Sequence, residues 1–420
     1  MMMKRIFIGM ILLCICFGLT AQTITILTGG LPAPYDGKTI YTIAEEKLKK
    51  DFPDVKIVYS IIDVTAGSTM TMDAQLAAGT PPNVYVDSTV RAGKYMDANF
   101  ALDLNKYVRD LDKYNKGVLD PYKFKGKLLG IPQYGGAQAM CINLDIMDEI
   151  GYTVKWDWTI TDYLEMAEMV KQKYGGKKWA TMLFAANPSG DYLLHNWFSA
   201  FGTKYYVNGD YDNSVVAKTG GAKAYEFYQL LIKNEYVPKN AATLNDDDYC
   251  LQWLSGNLAA TTFFPNWTEM YLKQGMDQGI IKKPFNFTFV PLPRGVGVNG
   301  VPTYVNNGVY VVYNSPDKKA NEIAARWVEY ANGPEAQGLS AKYESTVPNR
   351  VDVIPSTDKN VKLTTKIASE YGIYDAGLTD GRFSERRALQ FPILQKLFNF
   401  KITPENAIKE YEKALSKVKK

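Results

Sequence analysis

Between residues 23 and 88 the chain alternates between the two-residue period of a strand and the 3.6-residue period of a helix, and few folds accommodate that pattern. Residues 23–27 (TITIL) read as a strand, and a Gly-Pro loop follows from Gly29 to Gly37. Residues 39–50 are helical in pattern and break at Phe52-Pro53. Residues 55–62 read as a second strand. Residues 69–78 read as a helix ending in Gly79-Thr80-Pro81-Pro82, and 84–86 as a third strand stopping at Asp87-Ser88. Strand-helix alternation at this spacing predicts an α/β sheet with helices on both faces. At 420 residues the chain is too long for one ordinary core and predicts two.

The middle of the chain is more helical. Residues 145–150, 161–173, 222–234 and 249–254 carry helical periodicity, with Thr161 read as the cap of the second of these. Strand-like runs return at 286–290 and 304–313. Helices at 319–331 and 335–342 and two more at the carboxyl end close the chain, with Pro404 in the first turn of the last.

The amino terminus stands apart. Lys4 and Arg5 precede an apolar run from Ile6 to Leu19, then Thr20-Ala21-Gln22, which is the layout of a secretory signal cut after Ala21. The run falls short of the ~20 apolar residues that span a bilayer. Cys14 and Cys16 leave lipid attachment open, although Leu13 and Ile15 stand where that processing wants a small residue. Beyond the signal only Cys141 and Cys250 remain, enough for one bridge at most, and two buried free thiols are expected. The net charge of +4 drops to about +2 without Lys4 and Arg5, too little for a nucleic-acid footprint. With a single histidine, His195, a His-rich metal centre is excluded, and neither metal nor cofactor is expected.

Motifs that would signal catalysis fail on context. Gly295-Val296-Gly297-Val298-Asn299-Gly300 matches G-x-G-x-x-G, but Pro291 and Pro293 precede it and Pro302 follows. No helix begins there to hold a pyrophosphate, so a surface loop is expected. Asp246-Asp247-Asp248 lacks the alternating spacing of a calcium loop and instead precedes a helix, where acids favour the dipole. His195 has no nucleophile motif beside it and reads as a helix residue packed next to Trp197. No enzymatic activity is expected.

Several segments, in order, resemble the family 1 extracellular solute-binding proteins of ABC importers, the group that includes maltose-binding protein. Residues 45–58 (EEKLKKDFPDVKIV) are similar to the family's helix, Phe-Pro turn and second strand. Residues 77–87 (AAGTPPNVYVD) are similar to its Gly-x-Pro-Pro-Asp-Val segment, with Asn83 in place of the Asp. Residues 126–145 (GKLLGIPQYGGAQAMCINLD) resemble its Gly-Lys-x-x-Gly-x-Pro run, and 254–267 (LSGNLAATTFFPNW) its small-residue segment ending near a ligand-facing tryptophan. Residues 291–308 and 346–350 (TVPNR) complete the order. The resemblance covers nearly the whole chain after the signal. It implies a two-lobed, periplasmic-binding-protein type II-like α/β fold, with the chain crossing between lobes near 137–141, 304–310 and 346–350. The expected division is 1–21 signal, 22–138 with 308–347 as lobe 1, and 139–307 with 348–420 as lobe 2. It further implies an exported monomer, periplasmic or on the outer face of the cytoplasmic membrane. Such a protein closes on a small ligand and delivers it to membrane permease subunits.

A carbohydrate site needs hydrogen-bonding side chains and flat aromatic rings. Tyr35 and Asp36 lie in the loop after the first strand, and Asp87, Ser88 and Arg91 follow the third, where carboxyl-end loops line the crevice. Gln133 and Tyr134 precede the first crossing, and Asn306 and Asn307 sit at the second. Asp191, Tyr192, Asn266 and Trp267 are the candidates from the other lobe. Arg382 and Phe383 stand near a further aromatic position of sugar-binding relatives. A polyol phosphate or peptide ligand is the first alternative, although a phosphate would recruit more cations than Arg91 and Arg382. An exported glycan-acting enzyme, which needs a close carboxylate pair, and an envelope structural protein are the others.

Overall fold

The computed structural model describes residues 22–62, 68–97, 100–115, 118–134, 138–188, 191–207, 210–263, 265–279, 281–303, 308–344, 346–354, 357–372, 376–377 and 380–418. The expected signal lies outside them.

Two sheets organise the chain. Strands β1 (Thr23–Thr28), β2 (Lys56–Ile61) and β3 (Val84–Ser88) are parallel, with β1 between the other two. A small hairpin, β4 (Lys123–Phe124) with β5 (Lys127–Leu128), precedes β6 (Ile131–Pro132). The second sheet has β7 (Ala139–Asn143) at its centre, antiparallel to β8 (Ala260–Phe263) and β9 (Phe287–Val290). The chain then returns to the first sheet as β10 (Gly308–Val312), antiparallel to both β3 and β6, giving the order β2-β1-β3-β10-β6. Both β7 and β10 are buried along their whole length, as central strands covered on both faces should be.

Local chemistry sets the helix starts. Thr39 caps Ile40–Asp51 in a reciprocal pair with Thr42, and Thr159 caps Ile160–Tyr174 with Asp162. The second helix therefore begins ahead of Thr161, which the sequence had marked as its cap. Asp246, Asp247 and Asp248 form the first turn of Asp246–Leu254 behind the cap Asn245, so the acids are inside the helix rather than before it.

Each sheet carries its own core. The first is packed by helices Ile40–Asp51 and Lys318–Ala331, and Trp327 is fully buried in it. The second contains Trp158, Trp197 and Trp253, all fully buried. Removing any one of these four side chains would cost about 3–5 kcal/mol. The units touch where helix Thr89–Asp97 packs on Phe383–Ala388, and Val90 joins the second core there. The segment at the third expected crossing is bonded to the unit built on the first sheet. Arg350 pairs with Asp110 at 2.7 Å, and Asn349 donates to the Pro132 carbonyl at 2.9 Å. Placing the boundary at 347/348 thus splits a segment that this bonding holds together.

Cys141 and Cys250 are both free, Cys141 buried and Cys250 half-buried. The Gly295–Gly300 segment is a loop with Val296 fully exposed at its tip.

Candidate functional site

Strand directions bring four chain ends to one edge of the first sheet. β1 and β3 are parallel, so both end there; β10 is antiparallel and begins there; β6, antiparallel to β10, ends there. A cavity of about 400 Å³ opens at this edge, a size in the range of small-molecule sites. Thr28, Asp87, Ser88, Gln133 and Gly308 line it from those strand ends.

Asp87 is almost wholly occupied by its own surroundings. Tyr85 donates its hydroxyl at 2.6 Å, the Ser88 amide donates at 2.7 Å, and Arg91 grips both oxygens through Nε at 2.8 and 3.0 Å. The Asp87 carboxylate therefore holds Arg91 in place at the wall. Ser88 Oγ is different: it is buried with no hydrogen-bond partner among the described residues. A buried hydroxyl left so costs about 1–3 kcal/mol, which a polar ligand would recover.

Gln133 depends on a glycine. Its amide nitrogen donates to the Gly308 carbonyl at 2.8 Å, and its side chain crosses the space where a Gly308 Cβ would stand, only 1.7 Å from Oε1. Behind it, Asn332 and Asn349 both donate to the Pro132 carbonyl, at 2.8 and 2.9 Å. Gln337 ties the two together, donating to Asn332 Oδ1 and accepting from the Asn349 amide, each at 2.7 Å. Tyr134 follows, its hydroxyl pushed up to about 12 by burial.

Helix Pro334–Tyr343 supplies a face that the sequence candidates omit. Ala336, Gln337, Ser340 and Glu344 follow helical spacing and all line the cavity. Burial raises the Glu344 carboxyl above the usual range, while hydroxyl donation from Ser340 and Tyr35 opposes the rise. Tyr35 itself is stacked flat on Tyr343, ring centroids 4.8 Å apart.

Trp267 comes from the other unit, in helix Pro265–Asp277. It lines the same cavity as Tyr134. Phe263, Tyr192 and Tyr271 surround it with rings at 6.0 to 6.2 Å between centroids.

Of the sequence candidates, Asp87, Ser88, Arg91, Gln133, Tyr134 and Trp267 come together around this cavity. Tyr35 braces Glu344 from behind, and Asp36 points to solvent, paired with Lys342 at 3.1 Å. Tyr192 is buried behind Trp267. Asp191 is fully buried against Arg387 and lies 3.2 Å from His195 Nε2, so it serves the interior of the second unit instead of a ligand. Arg382 is engaged by Asp380 at 2.6 Å and by Asp212, and Phe383 is a core residue. Asn306 and Asn307 lie outside the described residues, as does the side chain of Asn266, which stands in the first turn of Pro265–Asp277. Among the described residues no group of His, Cys, Asp and Glu could hold a metal ion. No described helix is long and apolar enough to cross a membrane.

A cavity built on the strand ends of one sheet unit and completed by an aromatic side chain of a second is the architecture of a two-lobed binding protein. The chain belongs to the bacterial extracellular solute-binding protein family, which it matches over residues 33–338. An arabinooligosaccharide-binding protein of Halalkalibacterium halodurans is 25% identical over 240 residues, 53% of this chain and 51% of that one. The chain thus spans about half the length of this curated relative. Among solved structures, the GacH receptor of Streptomyces glaucescens superposes with a TM-score of 0.77 at 18% identity, over 96% of this chain and 100% of that one. Maltose-bound MalE3 of T. maritima superposes equally well, with a TM-score of 0.77 at 18% identity over 95% and 100%. At such identities the likeness is one of fold, and the fold is the two-lobed α/β type expected.

Proposed function

We propose that this protein is an exported sugar-binding component of an ABC importer, capturing a small saccharide or oligosaccharide between two lobes and presenting it to membrane permease subunits. The observation that carries this reading is Trp267. It brings an aromatic face from the second lobe to a cavity where first-lobe polar groups (Asp87, Ser88, Arg91, Gln133, Gln337, Ser340 and Glu344) stand among apolar ones such as Leu31, Ile40 and Val86, and sugars offer hydroxyl edges with apolar faces to match. The relatives point the same way, since one binds an arabinooligosaccharide by name and a solved neighbour holds maltose.

The lobes we assign are 22–138 with 308–354, and 139–307 with the remainder, because Asn349 is bonded to Pro132 of the first sheet and Arg350 is paired with Asp110 of the same lobe. A ligand held by both lobes in the closed form alone shifts the population toward closure, and no covalent step is required. The protein acts as a monomer, without cofactor or metal, after removal of a signal at Ala21. A thermal-shift screen against mono- and oligosaccharides tests the reading, because a specific ligand at 100 times its Kd stabilises by about 2.7 kcal/mol. A melting curve that no saccharide moves would refute it.

A further inference from the structure

The ionisable groups at the cavity are unevenly balanced. Asp87 and Arg91 neutralise each other through a two-pronged contact, Nε and Nη2 of the guanidinium reaching the carboxylate at 2.8 and 2.5 Å. Glu344 has no such partner: it lines the cavity beside Ser340, the hydroxyls of Ser340 and Tyr35 only partly offset its burial, and no described cation lies within ion-pair distance. The nearby Lys342 is turned outward to Asp36, at 3.1 Å. Glu344 also occupies the carboxyl end of helix Pro334–Tyr343, its amide donating to the Ser340 carbonyl at 2.8 Å. The negative end of that helix dipole therefore adds to the charge of the side chain.

We infer that Glu344 is the specificity-determining residue of the site, accepting hydroxyl hydrogens from a neutral saccharide and repelling saccharides that carry a carboxylate or phosphate. The inference rests on the sugar-binding reading and narrows its ligand class. A carboxylate set in a cavity raises the cost of bringing a second negative charge near it, and Arg91, the one cation among the described lining residues, is already committed to Asp87. Other polar groups that line the cavity, among them Ser88, Gln133 and Tyr134, can each donate and accept, which suits hydroxyls better than anions. Tyr35 is then a positioning residue that fixes the Glu344 carboxylate from outside the cavity.

Calorimetric titration tests this with a neutral oligosaccharide and its uronate-bearing counterpart, on wild type and Glu344→Gln. Wild type is expected to prefer the neutral sugar by at least about tenfold, and the preference should shrink as ionic strength rises. In Glu344→Gln the neutral sugar binds more weakly and the uronate more tightly, so the preference falls below about threefold. Equal affinities in wild type, a preference indifferent to salt, or one retained in Glu344→Gln would each overturn the inference while leaving the sugar-binding reading intact. If wild type bound no saccharide at all, both would fall. Because the salt dependence is read on wild type alone, a variant that failed to fold would not rescue the proposal.

Discussion

Tyr192 stands edge-on behind Trp267, with ring centroids 6.0 Å apart and planes at 88°. That geometry suits the quadrupoles of both rings and fixes the direction in which the Trp267 face is presented. Trp267→Ala should weaken saccharide binding by about 1–3 kcal/mol while the melting curve stays cooperative. Tyr192→Leu should produce a smaller loss by letting the indole tilt. Calorimetry decides, and wild-type affinity in Trp267→Ala would place that residue outside the site.

Gly308→Ala should lower affinity without unfolding the protein. Its backbone needs no glycine for conformation, but the added methyl would land on the Gln133 amide and drive that side chain from its place. Loss of the hydrogen bonds it is expected to make to the sugar should cost about 1 kcal/mol of binding. Comparable weakening in Gln133→Ala, and no further loss in the double variant, would show that both act through one group.

Asp191 should matter for stability. Burial pushes its carboxyl up, but the Arg387 guanidinium and His195 outweigh burial and hold it below its ordinary value of 3.8. Asp191→Asn leaves Arg387 without its buried counter-charge and should cost about 3–5 kcal/mol by denaturant titration at neutral pH. A depressed carboxylate contributes stability above its unfolded value and loses it as the pH falls through the folded one. The gap between wild type and Asp191→Asn should therefore narrow below pH 3.8.

Glu344 has the opposite sign. Its folded value is raised by burial above the ordinary 4.5, so its contribution is fully present below that value and is lost as the pH rises through the folded one. Glu344→Gln should melt above wild type at pH 8 and together with it near pH 4. A variant that melted below wild type at pH 8 would mean that the ionised carboxylate stabilises the fold.

The first three strands were legible because each is a short β-branched run bounded by Gly, Pro or Asp: 23–27, 55–62 and 84–86 against the observed 23–28, 56–61 and 84–88. That Asp87, Ser88 and Arg91 would line a cavity was legible for the same reason, since the carboxyl ends of parallel strands form the crevice. Asp191, Arg382 and Phe383 were misplaced because their partners are set by the fold. Arg387 lies 196 positions beyond Asp191, and no local pattern announces such a pair. Gln337, Ser340 and Glu344 were missed although their spacing marks one helix face. Periodicity shows that a face exists; only tertiary packing shows that this one looks onto a cavity and not into solvent.

Closure around a sugar is the central claim, and small-angle X-ray scattering of the purified protein, with and without a saccharide that raises its melting temperature, tests it most directly. The radius of gyration should fall on saturation in wild type and fall less, at the same sugar concentration, in Trp267→Ala. A saccharide that saturates the protein and leaves its radius of gyration unchanged would contradict the account.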